Sequence, residues 1–138
     1  IDDRKGQTRS VLITSRQENC WKRYTMDGKF MERIEMPGSF ICRPVLRNEN
    51  LYGAVFRSGL ESNEFSGYVQ IVDKNNKVVS TPGGSAPTYE NGLLKPQSKE
   101  DPAKVFMHPH DVYVDSDESI YIAQWASKKT YPIKLERV

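Results

Sequence analysis

Near the end of the chain, Met107 to Trp125 (MHPHDVYVDSDESIYIAQW) reads as two β-strands joined by a tight polar turn, and the pattern recurs upstream. A chain that repeats a strand pair is confined to architectures in which each unit covers its neighbour's apolar face. Ile120-Tyr121-Ile122-Ala123-Gln124-Trp125 laid beneath Leu51-Tyr52-Gly53-Ala54-Val55-Phe56 matches at four of the six positions in identity or type. The same frame on Val11-Leu12-Ile13-Thr14-Ser15-Arg16 keeps the apolar start and the small fourth residue.

The spacing is 40 residues from Val11 to Leu51 and 69 from Leu51 to Ile120, so the second interval holds one period plus an insertion. A period of about 40 with about four strands per unit is that of propeller blades. Turn chemistry supports strands throughout. Met26-Asp27-Gly28-Lys29 returns Cys20–Thr25 as Phe30–Glu35, with Asp-Gly supplying the positive φ of a tight hairpin. Asp73-Lys74-Asn75-Asn76-Lys77 returns Val69–Asp73 as Val78–Ser80. Pro37-Gly38 punctuates the next passage, and Phe40 to Leu46 begins another inner strand, where Pro44 cannot donate to a ladder. The expected fold class is therefore all-β, in four-stranded antiparallel blades. The units lie at about 10–35, 40–81 and 107–138, and residues 82–106 form an inserted loop rich in Pro and Gly with no sustained period. A loop of that length is either a solvated excursion or a functional arch, in which Tyr89 could cover a ligand.

Composition removes several classes. The 138 residues carry 20 Lys and Arg against 18 Asp and Glu, a net charge of +2 with the bases scattered among acids, which argues against nucleic acid. No run of 18 apolar residues could span a membrane. The chain opens IDDRKGQTRS, with no initiator Met and no signal-peptide pattern, and reads as a mature or excised fragment. Cys20 and Cys42 come from different units, which leaves both a bridge and two free thiols open.

HPHDVYVDSDESIYIAQW followed by TYPIKLERV resembles the end of the six-bladed β-propellers built from NHL-type repeats, a family that includes many bacterial secreted proteins. The resemblance spans Val11 to Val138, with its specific part at His108 to Val138; it extends distantly to the propeller lyase that completes peptide amidation, a zinc enzyme with histidines on inner strands. It implies blades around a central channel, ligand sites at the channel mouth and an extracytoplasmic location. Fewer than three blades can be counted here, so the ring is incomplete. The rest of a longer propeller, or a second copy, is expected to close it.

The same frame places the candidate site. With Val114 opposite Leu46, Asp111 falls opposite Arg43, His110 opposite Cys42 and His108 opposite Phe40, all at the start of an inner strand. His108 and His110 are the only histidines, and their i, i+2 spacing points both imidazoles to one side of an extended strand. Together with a carboxylate they could ligate a metal, Zn²⁺ being the natural acceptor, although a catalytic zinc takes about three protein ligands. Asp111 could instead bond backbone amides between blades. Asp115-Ser116-Asp117-Glu118 lacks the spacing and Gly of an EF-hand loop and sits where a hairpin must turn. Phe56 and Trp125 occupy equivalent strand ends and are expected to fill the gap between blades, or in Trp125's case to stack on a sugar. Two classes follow. One is a non-catalytic scaffold binding a small molecule, peptide or carbohydrate through Arg43, Asp111, Trp125 and Tyr89. The other is a metal-dependent lyase or hydrolase using His108 and His110.

Overall fold

The computed structural model describes residues 1–59, 65–97 and 105–137, and among these the chain is all-β, built of small antiparallel sheets without an α-helix. The first sheet runs β1 (Val11–Ser15), a 3-10 turn (Arg16–Glu18), β2 (Cys20–Tyr24) and β3 (Phe30–Glu35), in the order β1-β2-β3. Gly28, at φ +87°, closes the β2–β3 turn as the Asp-Gly signal predicts. In the central sheet β4 (Ser39–Ile41) and β5 (Val45–Arg47) both pair with β6 (Asn50–Ser58), which is followed by β7 (Tyr68–Val72) and β8 (Val78–Ser80). Pro44 lies in the gap between β4 and β5, where no ladder donor is needed. The Asp73 carboxylate accepts the N–H groups of Asn75 and Lys77 at 2.8 and 2.9 Å and so shapes the β7–β8 turn.

Residues 98–104 of the expected inserted loop, and Val138, lie outside the described residues. The rest of that loop is more ordered than its composition suggests. It contains a hairpin, β9 (Tyr89–Glu90) and β10 (Leu93–Leu94), turned by Asn91 and Gly92 at φ +50° and +79°. Two successive positive φ values are the signature of a type I′ turn, and Asn-Gly is its preferred sequence. Leu94 and Phe106 return from this stretch into the core. The last sheet comprises β11 (Pro109–Val114), β12 (Ile120–Gln124) and β13 (Ile133–Leu135), in chain order.

These three larger sheets stack, with the central one covered on both sides. Successive residues of a strand face opposite ways, and β6 uses both faces. Leu51 and Val55 join Trp21, Ile34, Met36 and Ile41 in a core shared with the first sheet. Tyr52 and Ala54 join Val112, Val114, Ile120 and Ile122 in a second core shared with the last sheet. Gly53 is needed on the first side, since a Cβ there would stand 2.6 Å from the Trp21 ring. Trp21 is fully buried and donates its indole N–H to the Cys42 carbonyl at 2.8 Å, so its polar edge is satisfied across the sheet boundary. Cys20 and Cys42 are both buried and free.

The register changes one equivalence. Leu46 pairs with Leu51 and Val114 with Ile120, as the repeat requires. Val11–Ser15, however, is the opening strand of its sheet and pairs with Cys20–Tyr24, so the counterpart of Leu51–Phe56 is Cys20–Tyr24 and not Val11–Arg16. A short apolar run of period 2 states which residues share a face, and says nothing of a strand's place in its sheet.

The opening residues are tied in by a buried ionic cluster. Asp2 bridges back to Ser10, and its fully buried carboxylate accepts from Arg4 at 2.8 Å and Arg23 at 2.6 Å. Arg4 also donates to the Asp73 carbonyl and to Asn76, which fastens the first sheet to the β7–β8 turn. Burial alone would raise the Asp2 carboxyl, but the hydrogen bonds from the two arginines outweigh it and hold the group below its usual value. A carboxylate depressed in the folded state contributes stability that is present above its unfolded pKa of about 3.9 and is lost as pH falls through the folded value. Asp2→Asn leaves two buried guanidinium groups underpaired and is expected to cost roughly 3–5 kcal/mol at pH 7. Urea denaturation at pH 7 and pH 3 checks this: the variant's deficit should shrink at the acid end, and an equal deficit at both pH values contradicts the assignment.

Candidate functional site

The opening strands of the three sheets, β1, the β4–β5 pair and β11, bring one end of each sheet together. Between them lies a cavity of about 340 Å³, lined by Thr14, Arg16, Cys42, Arg43, His110 and Asp111. Each sheet contributes two of these residues.

Local irregularity produces the arrangement. From Ile41 to Val45 the chain takes four steps while its partner takes three, from Val55 to Tyr52. From Pro109 to Asp111 it takes two while the partner takes one. The extra residue in each case is a bulge, which turns a side chain out of the ladder. His110 is the one released in β11, and it is exposed. In the first sheet, Asn19 adopts the left-handed conformation at φ +52° that Asn tolerates. Its side-chain amide donates to the carbonyls of Arg16 and Ser39 at 3.2 and 3.1 Å, fixing the turn that carries Arg16 against β4.

The register-based pairing of Arg43 with Asp111 appears as an ion pair of 2.9 Å. The other Asp111 oxygen accepts the N–H of Val112 at 2.9 Å, which orients the carboxylate. Arg43 is 65% exposed and Asp111 39%, and pairs of this kind are worth about 0–1 kcal/mol, so stability is not the pair's main contribution. Arg16 donates to the Cys42 sulfur at 3.1 Å and lies over the Phe56 ring at 5.5 Å. Thr14 donates its hydroxyl to the Cys42 carbonyl at 3.1 Å. Burial pushes the Cys42 thiol up, and the charge and hydrogen bond of Arg16 reverse only part of that rise. The thiol therefore stays protonated near neutrality and is a poor nucleophile.

Phe56 organises the imidazoles. His108 stacks on its face at 4.9 Å and His110 packs edge-to-face with it at 6.2 Å, while the bulge at His110 breaks the regular strand alternation that their i, i+2 spacing assumes. His108 Nδ1 is buried without a hydrogen-bond partner. Among the described residues no group of three His, Cys, Asp or Glu side chains is placed to hold a metal. Trp125 lies 5.7 Å from Phe56 but is 60% exposed, so it does not fill a buried gap in this chain. Tyr89 is not brought to this group. Its hydroxyl accepts the N–H of Val78 and donates to that residue's carbonyl, which puts it on β8 at the opposite edge of the central sheet. Asp115 shapes the β11–β12 turn by accepting from the backbone of Asp117 and Ser119 and from the Tyr121 hydroxyl.

Thr14 and Arg16 carry no motif, and their place emerges only once β1 is recognised as an opening strand. Beyond the Arg43–Asp111 pair lies a second recess of about 240 Å³, which also contacts Tyr113, Tyr121 and Pro132. A larger groove of about 720 Å³ runs between β8 and β13, over Tyr52, Ile71, Ile120 and Leu135. It lies along the outer edge of β13, where the central sheet has its fourth strand.

No family model, curated protein or solved structure matches this chain. Phe56→Ala should cost about 2–3 kcal/mol, less than a fully buried Phe because the ring is only half-buried. It should also release both imidazoles, seen as convergence of their NMR ring-proton shifts toward free histidine; unchanged shifts would dissociate the histidines from Phe56.

Proposed function

We propose that this chain is part of an NHL-type β-propeller that binds a ligand or partner at the face where its opening strands converge, without a requirement for catalysis. The observation that carries the reading is the 340 Å³ cavity, to which all three sheets contribute polar side chains. Sites built where loops and strand ends of several units meet are the usual location of ligands on such scaffolds. Tyr121, Ala123 and Trp125 on the last sheet repeat the row Tyr52, Ala54 and Phe56 on β6, whose Tyr52 and Ala54 pack against the last sheet. That repetition supports a further sheet over the outer face, from the rest of a ring or from a second copy. An extracytoplasmic location rests on the family resemblance alone. Among the described residues no helix is long and apolar enough to cross a membrane.

A metal-dependent lyase or hydrolase is the second reading, favoured by the unpartnered Nδ1 of His108, whose ring shares Phe56 with that of His110. Two imidazoles fall short of the three protein ligands of a catalytic zinc, so the donor set of the described residues does not fit that group and no step is assigned through it.

An NMR-detected screen of small polar molecules tests the binding reading. Hits should perturb Thr14, Cys42, Arg43 and Asp111, and Arg43→Ala should weaken them about tenfold, equivalent to about 1.4 kcal/mol. Hits confined to the groove between β8 and β13, indifferent to Arg43→Ala, would overturn it.

A further inference from the structure

We infer that the cavity between the opening strands takes a small anionic ligand presenting carboxylate or phosphate oxygens, with the Arg16 guanidinium as its anchor. The inference rests on the reading of this cavity as a ligand site and adds the chemical class.

A guanidinium has five N–H donors in a fixed fork. Among the described residues Arg4, Arg23, Arg33, Arg43 and Arg137 each meet a carboxylate, and Arg9, Arg47 and Arg57, which do not, are no part of the cavity wall. Arg16 has no such partner among the described residues; its contacts are the Cys42 sulfur, a weak acceptor, and the face of Phe56. It is half-buried, so part of its hydration has been exchanged for these two modest interactions. The protonated Cys42 thiol supplies no counter-charge. The cavity wall thus carries two guanidinium groups and an imidazole against one carboxylate, Asp111, which is already paired with Arg43. Two oxygens of a carboxylate or phosphate would satisfy the open edge of Arg16 bidentately, a geometry in which arginine surpasses lysine. A cation would meet uncompensated positive charge, and a neutral ligand would leave the guanidinium donors short.

Titration of the 138-residue chain with sodium succinate and with sodium phosphate, at constant ionic strength set by sodium chloride, tests this by calorimetry and by NMR of the arginine Nε–H signals. At least one anion should saturate one-to-one and shift the Arg16 signal; which one does so distinguishes a carboxylate ligand from a phosphate ligand. Arg16→Ala should weaken binding at least tenfold, Arg16→Lys should retain part of it, and Asp111→Asn should tighten it a few-fold by removing the opposing charge. If Arg16→Ala fails to fold by circular dichroism, Arg16→Lys decides by its loss of affinity. Failure of both anions to saturate, or undiminished binding in the Arg16 variants, overturns the inference. If a neutral compound fills the cavity while both anions fail, only the charge assignment falls. If nothing perturbs the cavity, the binding reading falls with it.

Discussion

The structure depends on β6 being buried on both of its faces. A strand with one wet face needs apolar residues at alternate positions, whereas Leu51 to Val55 is apolar at every position, with a glycine at the point of closest approach. The Trp21 ring lies over that glycine, and the last sheet lies over Tyr52 and Ala54. Neither flanking sheet, at three strands each, has a comparable core without this shared layer, and small sheets need such cover to be stable. Each sheet is therefore held by its neighbour, and the central one sets the spacing of both.

That stacking also aligns the ends of the sheets. The same Trp21 that fills the first core donates to the Cys42 carbonyl, and Thr14 donates to that carbonyl too. One backbone oxygen in the gap between β4 and β5 thus ties the first sheet to the rim of the cavity. Pro44 opens that gap by withholding a ladder donor, and the bulge at His110 opens its counterpart in β11. Irregular backbone at equivalent places in successive sheets leaves Arg43 and Asp111 able to meet across the boundary.

Much of this was legible in the residues. Asp27-Gly28 and Asp73–Lys77 state their turns by chemistry, and the pairing of Arg43 with Asp111 follows from counting back along two strands that share a pattern. The order of strands in the first sheet was not legible, because Val11–Thr14 fits any half-buried strand. That misplacement hid Arg16 and Thr14. Asn91-Gly92 was a readable hairpin signal masked by the Pro- and Gly-rich residues around it. The buried cluster of Asp2, Arg4 and Arg23 could not be foreseen, since charged residues are ordinarily solvated and only tertiary contacts with Ser10 and Asn76 bury these.

Side chains carried by three separate sheets meet around Phe56 and Cys42. Nuclear Overhauser contacts measured on the uniformly labelled chain test that convergence directly. Contacts are expected from the Phe56 ring to His108, His110 and the Arg16 side chain, together with contacts between Arg16 and the Cys42 β-protons. A well-dispersed spectrum in which Phe56 contacts neither imidazole, and Arg16 contacts neither Phe56 nor Cys42, would contradict it.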